Sequence, residues 1–305
     1  MRVFLLKASL FALPIAIYAA LMAMIDPFER FGVGGFSPAP TKLNIATVVN
    51  PVLWKVIEIE RSRAENITLG ASKMAAFTPE LLRLVTGYEF EDLSLGGGSA
   101  NEMINLFWLA AKRTRIRHVL IGLNVQDFNY FNDRDRVAGA EATAENPLLY
   151  LVNRDVLSAA WDLVRMKYFG APPPTAAPQM SKEEFWRLQV EEGADRNFSS
   201  YRFDERAYER LREVASYCSQ NGVDLIFIIL PSHADIHRRI RELGAQAPWM
   251  QMPARIADLG DTHDYDLDNP TTRDRGNFTD PFHFNHEVAR RLIENAWSTH
   301  PHVEQ

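Results

Sequence analysis

The sequence predicts an α/β fold with a parallel sheet covered by helices on both faces, preceded by one N-terminal transmembrane helix. Short apolar runs such as Asn66–Leu69 and Val223–Leu230 end at glycine or at polar residues, as buried parallel strands do. Amphipathic runs of about 10 to 15 residues separate most of them, which indicates βα units. The third observation is Ala8–Ile25, which contains no charged residue.

The same patterns divide the chain. Four runs are predicted as strands: Asn66–Leu69, Phe90–Leu95, His118–Leu123 and Val223–Leu230. Four runs are predicted as helices beside them: Pro79–Thr86, Asn101–Lys112, Asp204–Gln220 and His286–Trp297. We therefore expect a membrane anchor over residues 1–30, a linker and helix over 31–64, and a sheet domain over 65–305. The alternation stops at about 128–201, which we interpret as an insertion in that domain.

The N-terminal apolar run approaches the roughly 20 residues that span a bilayer. Arg2 and Lys7 precede its uncharged part, and Asp26 and Glu29 follow it. This asymmetry predicts a single-pass protein of the inner (cytoplasmic) membrane, with its C-terminal domain on the extracytoplasmic, periplasmic side. A cleaved signal peptide and a buried core helix are the alternatives.

Composition excludes several classes of protein. The formal net charge is −6, which argues against a nucleic-acid-binding protein because such proteins usually carry a basic face. Cys218 is the only cysteine, so neither an internal disulfide nor a cysteine zinc cluster can form. No dinucleotide fingerprint is present, because the glycines after the second strand lack the required spacing.

Four predicted loops carry residues that could do chemistry. They are Gly70–Lys73, Gly96–Ser99, Gly122–Asn124 and Asp280–His283. Three of them follow strands, and ligands of open α/β sheets bind beyond the carboxyl ends of the strands. Taken singly, each loop has an ordinary explanation as a turn or a helix cap. Together they could supply a serine nucleophile, glycine N–H groups, an amide donor and a base held by a carboxylate.

This order of residues resembles the SGNH (GDSL-like) hydrolase superfamily. The resemblance runs from about residue 66 to residue 296, with about 128–201 unmatched. It implies a flavodoxin-like three-layer α/β/α sandwich, with Ser72 as nucleophile and Asp280 and His283 completing a triad. It also implies an oxyanion site formed by the backbone of Ser72 and Gly97 and by the amide of Asn124.

Two positions depart from the usual pattern. Ala71 stands where many members have the aspartate of Gly-Asp-Ser, and Val125 stands where Gly-x-Asn-Asp has its aspartate. With these departures and the predicted anchor, the sequence resembles the membrane-anchored branch of the superfamily. That branch includes cell-surface polysaccharide O-acetyltransferases and the lipoteichoic-acid D-alanylation hydrolase-like protein. That branch implies a polysaccharide or other glycopolymer acceptor, a multi-spanning membrane O-acyltransferase as partner, and no cofactor.

Several alternatives stay open at this stage. One triad serves an esterase and a transferase equally, so the sequence does not decide between water and a sugar hydroxyl as acceptor. A non-catalytic polymer-binding or scaffold protein of the same fold is the alternative from another class. A metal site formed by His263, His283, His286 and Asp261 is disfavoured, because the His-Glu-x-x-His arrangement is missing.

Overall fold

A computed structural model describes residues 2–33, 35–174 and 180–300, with side chains from residue 12 onward. The chain forms two compact units. The helical unit comprises Met1–Arg61 and Arg136–Pro178. The sheet unit comprises Ser62–Asp135 and Gln179–Gln305, and it contains every residue that the sequence singles out for chemistry.

The sheet unit is built on five parallel strands in the order β2-β1-β3-β4-β5. The strands are β1 (Asn66–Gly70), β2 (Glu91–Asp92), β3 (His118–Leu123), β4 (Asp224–Ile229) and β5 (Asp261–Asp264). The order reverses between β1 and β3, and in doubly wound sheets the ligand crevice lies outside the carboxyl ends of the strands at such a reversal. The alternation of apolar and amphipathic runs predicts this α/β fold with a parallel sheet.

Helices cover both faces of the sheet. The helices of this unit are α4 (Pro79–Thr86), α5 (Ala100–Arg113), α9 (Lys182–Leu188), α10 (Ala194–Phe198), α11 (Glu205–Asn221), α12 (Ala234–Glu242), α13 (Gln246–Ala257), α14 (Pro270–Arg273) and α15 (His286–Thr299). Ile226 and Ile228 of β4 pack into the core with α4 and α15. Because side chains alternate along a strand, Phe227 points to the opposite face, where α11 contacts β4 and α5 contacts β1.

The helical unit consists of six helices around a small core of its own. They are α1 (Arg2–Ile25), α2 (Ala39–Val49), α3 (Pro51–Arg61), α6 (Val137–Glu145), α7 (Pro147–Val152) and α8 (Arg154–Phe169). Helix α3 packs against α6, and α2 packs against α8. Phe28, Ile45 and Tyr150 are completely buried in this unit.

The predicted transmembrane helix is wrong. Among the described residues, no helix is both long enough and apolar enough to cross a bilayer. The C-terminal end of α1 instead packs against α7 and α8, where Met22 is buried and the Tyr18 hydroxyl donates to the carbonyl of Leu151. Asp26, expected as a flanking charge outside the membrane, is buried and accepts a hydrogen bond from the Tyr150 hydroxyl at 3.1 Å. The predicted location and membrane partner stay predictions.

One predicted strand is much shorter in the structure, and one observed strand has no predicted counterpart. β2 is only two residues long, although Leu93 and Leu95 still donate backbone hydrogen bonds to β1 residues Thr68 and Gly70. β5 is not predicted, because its sequence Asp-Thr-His-Asp has no apolar run. Both lie at the edges of the sheet, where a strand needs one neighbour and less apolar surface.

Candidate active site

Ser72 stands at the carboxyl edge of the sheet, on the turn that follows β1. Gly70 has a φ of +145°, and a Cβ at this position would lie 2.5 Å from the carbonyl oxygen of Gly122 on β3. A Cβ on Gly122 would lie 2.1 Å from the sulfur of Met74. The two glycines therefore let the ends of β1 and β3 lie against the short 3₁₀ helix Ser72–Ala76, which fixes the half-buried Ser72 at the sheet rim.

The loop before α15 holds Asp280 and His283 in a fixed turn. One carboxylate oxygen of Asp280 accepts hydrogen bonds from the backbone N–H groups of Phe282 (2.9 Å) and His283 (3.1 Å). Thr279 donates from its backbone N–H to the carbonyl of His283 at 2.8 Å. These bonds close the loop on itself and fix the Asp280 carboxylate, which in turn orients the imidazole of His283.

Ser72, His283 and Asp280 form one hydrogen-bonded chain. The Ser72 hydroxyl oxygen lies 2.7 Å from Nε2 of His283, and Nδ1 of His283 lies 2.8 Å from the second carboxylate oxygen of Asp280. Burial alone would raise the pKa of Asp280. The hydrogen bonds that it makes with His283 and with the backbone have the larger effect, so the Asp280 pKa is lowered. An ionised Asp280 accepts from Nδ1–H and leaves Nε2 free to accept the serine proton.

A cleft with a volume of about 400 Å³ lies beside Ser72 and His283, and the predicted oxyanion residues line it. Gly97 has a φ of +63° in the turn after β2, a left-handed conformation that residues with a Cβ disfavour. Asn124 follows β3, is buried, and donates one amide N–H to Asp127 at 3.0 Å. An amide nitrogen carries two N–H groups, so a second remains for a ligand. The structure thus brings Ser72, Gly97, Asn124 and His283 to one cleft, with Asp280 behind them.

Sequence reasoning missed Asp127. Its carboxylate accepts from the backbone N–H of Asn124 at 2.8 Å as well as from the Asn124 amide, and so it orients that amide. Burial raises the pKa of Asp127 to about 6, although the bonds from Asn124 act in the opposite direction. The sequence signal for Asp127 is the spacing Asn-x-x-Asp, which is typical of a capping box.

The ionisation of Asp127 predicts a pH-dependent stability. A folded-state pKa of about 6 against an ordinary 3.8 means that folding favours the protonated carboxyl. That stabilisation is present below about pH 4 and is lost as the pH rises through about 6. Relative to Asp127→Asn, the wild type should lose roughly 2 kcal/mol of unfolding free energy between pH 4 and pH 7, measured by urea denaturation. Parallel profiles for the two proteins would contradict this assignment.

Lys73 is the second residue that the sequence did not reveal. It directly follows Ser72 and is buried, and its ammonium group donates to the carbonyl of Leu230 at 3.1 Å and to the hydroxyl of Ser232 at 2.9 Å. Burial lowers its pKa, while the charges of Asp266 and Asp127 oppose that effect. The hydrogen bonds of the buried Lys73 side chain therefore connect the turn that carries Ser72 to the residues that follow β4.

Asp266 completes this buried network. One of its carboxylate oxygens accepts from the backbone N–H of Ser232 at 2.7 Å and lies 2.9 Å from Nε2 of His237. The other accepts from the indole N–H of Trp249 at 2.7 Å. Burial alone would raise the Asp266 pKa, but His237, Lys73 and the Ser232 N–H lower it. An ionised Asp266 thus favours the charged form of the buried Lys73, against the effect of burial on the Lys73 pKa.

Known proteins offer little further evidence about the function of this site. No protein-family model matches the chain, and no curated protein matches it. One solved structure that is similar to it is that of a Bacteroides fragilis protein provisionally assigned as an acylhydrolase. The two chains are 12% identical, the match covers 76% of this chain and 85% of that one, and the TM-score is 0.35. At these values the similarity carries no argument, so a functional assignment rests on the geometry of the site.

Proposed function

We propose that this protein catalyses serine-dependent acyl transfer from an ester, in the manner of the SGNH superfamily. The observation that carries the proposal is the hydrogen-bonded chain from Ser72 through His283 to Asp280. A serine hydroxyl becomes a useful nucleophile only when a base lies within hydrogen-bond reach and a third group orients that base. Both conditions are met here, beside an open cleft.

The reaction proceeds through an acyl-enzyme. Ser72 Oγ attacks the ester carbonyl carbon while its proton passes to Nε2 of His283, and Asp280 stabilises the imidazolium. The tetrahedral intermediate collapses, and the alcohol leaves with the proton from His283. An acceptor hydroxyl then attacks acyl-Ser72 as His283 takes its proton, and collapse of the second intermediate returns a proton to Ser72.

The oxyanion of each intermediate is held by the N–H groups of Ser72 and Gly97 and by the Asn124 amide. Removing one such donor typically slows a reaction 10²–10³-fold, because the developing negative charge then loses a fixed partner. We expect Asn124→Ala to lower kcat by about 10²-fold with a much smaller change in KM. An unchanged kcat would remove Asn124 from the oxyanion site.

The acceptor is proposed to be a sugar hydroxyl of a glycopolymer, with water as the competing acceptor. The cleft supports a polyhydroxylated acceptor, because amide side chains are prominent in its wall. They belong to Gln126, Asn132 and Gln189, and Asn124 adds the second N–H of its amide. Amides both donate and accept hydrogen bonds, which suits hydroxyl groups.

An acetate-release assay tests the proposal. The purified full-length chain is incubated with acetylated methyl glycosides, and free acetate and acetyl transfer to an unacetylated oligosaccharide are quantified together. Release of acetate alone supports an esterase, whereas appearance of acetylated oligosaccharide supports a transferase. If neither product forms above the level given by Ser72→Ala, the proposed acyl transfer is wrong and a non-catalytic binding protein is favoured.

A further inference from the structure

Two arginines stand at the cleft that holds Ser72. Arg134 reaches it from the loop after β3, and Arg196 reaches it from α10. Both side chains are exposed, whereas the other charged groups of the same wall, Lys73 and Asp127, are buried. The charge that the cleft presents to a ligand is therefore positive, in a chain whose net charge is −6.

Two acidic neighbours of these arginines, Asp195 and Asp135, are engaged elsewhere, and a third, the exposed Asp133, does not line the cleft. Asp195, next to Arg196, accepts two hydrogen bonds from Arg239, at 2.9 and 3.0 Å. Asp135, next to Arg134, accepts from the amide of Asn105 at 2.9 Å. Within the described part of the chain, neither cleft arginine pairs with a carboxylate.

Hydrogen bonds hold the backbone at Arg134 and next to Arg196. The carbonyl of Arg134 accepts a hydrogen bond from the hydroxyl of Ser99, which also caps α5. The segment around Arg196 is tied down by Asn129, whose amide donates to the carbonyl of Asn197 at 2.9 Å. The backbone from which each arginine side chain extends is thus held by a hydrogen bond at or next to the arginine.

We propose that the substrate is an anionic carbohydrate ester, in which an acidic group on the sugar is bound by Arg134 and Arg196 while Ser72 attacks the ester. A guanidinium group matches the two oxygens of a carboxylate or a phosphate with parallel N–H donors. The inference rests on the proposed acyl transfer and adds a substrate class to it. A hexuronic acid is the sugar that best combines hydroxyl groups with a carboxylate.

The kinetic test compares three acetylated methyl glycosides that differ only at C6: a glucuronoside, a glucoside and a glucoside 6-phosphate. The wild type should have the highest kcat/KM on a charged substrate. We expect the charged-to-neutral ratio of kcat/KM to fall about fivefold to tenfold in Arg134→Ala and in Arg196→Ala, and to fall further in the double variant. Preference for the phosphate over the glucuronoside identifies the anion as phosphate.

A matched control is Arg206→Ala. Arg206 is an exposed arginine of α11 that does not line the cleft, so its removal changes the net charge equally without changing the ratio. A ratio of about one in the wild type, or an equal fall in all three single variants, would overturn the anionic-substrate inference. Activity on the neutral ester would still support acyl transfer, so the two failures are distinguishable.

A binding measurement does not depend on turnover. Trigalacturonate and maltotriose are titrated into the Ser72→Ala protein by calorimetry at low and at high salt. We expect trigalacturonate to bind at least tenfold more tightly, with the difference reduced by salt and lost in the Arg134→Ala/Arg196→Ala background. Equal affinities for the two trisaccharides would overturn the inference even if the protein proved to have no esterase activity.

Discussion

Replacing Ser72 by alanine is expected to lower kcat for ester cleavage by about 10⁴-fold or more, and His283→Ala should do the same. The reason is that Ser72 and His283 act as one unit, joined by the 2.7 Å hydrogen bond between hydroxyl and imidazole. Once either is lost, no activated nucleophile remains. The double variant should therefore be scarcely slower than each single variant. Acetate release under substrate saturation measures all three rates.

The matched control for this experiment is His286→Ala. His286 is exposed at the start of α15, three residues after His283, and it is not part of the cleft wall. Its loss should leave kcat within about twofold of wild type. If the effects of Ser72→Ala and His283→Ala instead multiplied in the double variant, the two residues would be acting independently and the triad would be the wrong description.

Replacing the buried Lys73 by methionine is expected to lower the free energy of unfolding by about 3–5 kcal/mol. Methionine is apolar and of comparable length, so the cost comes from the lost charge and not from a cavity. Without the ammonium group, Asp266 loses a compensating charge, and the carbonyl of Leu230 and the hydroxyl of Ser232 lose a donor. Urea denaturation at neutral pH measures the change, with the exposed Lys182→Met as control.

The double variant Lys73→Met/Asp266→Asn distinguishes charge compensation from packing. Removing the second charge should recover part of the lost stability, so that the double variant is less destabilised than the sum of the two single variants. Strict additivity, or a Lys73→Met protein as stable as Lys182→Met, would show that the two charges are not coupled. Because Lys73 adjoins Ser72, we also expect the rescued protein to be more stable without regaining full activity.

The roles assigned to Ser72, Asp280 and His283 come from the resemblance to the SGNH superfamily, and the parallel topology explains why these residues lie together. Parallel strands bring their carboxyl ends to one edge, so a serine after the first strand and a histidine before the last helix are expected near each other. Lys73 and Asp127 could not be predicted in the same way. Sequence does not reveal whether a charged side chain next to a strand is buried, and here burial decides what both residues do.

The N-terminal helix was instead predicted wrongly, as a transmembrane helix. An apolar run without charges satisfies the same pattern whether lipid or other helices cover it. Here α1 is part of a helical unit whose second half comes more than a hundred residues later in the chain, where the carbonyl of Leu151 accepts a hydrogen bond from Tyr18. Local composition does not contain that long-range pairing, and for the same reason the polar edge strand β5 (Asp261–Asp264) escaped prediction.

The most direct test of acyl transfer through Ser72 is to locate the covalent intermediate. The full-length protein is mixed rapidly with an activated acetyl ester, quenched in acid, digested and analysed by tandem mass spectrometry. We predict an acetyl group on Ser72, accumulating in His283→Ala only slowly and absent from Ser72→Ala. An acetyl group on another residue, or full turnover of the ester with Ser72 unmodified and replaceable, would contradict the proposed mechanism.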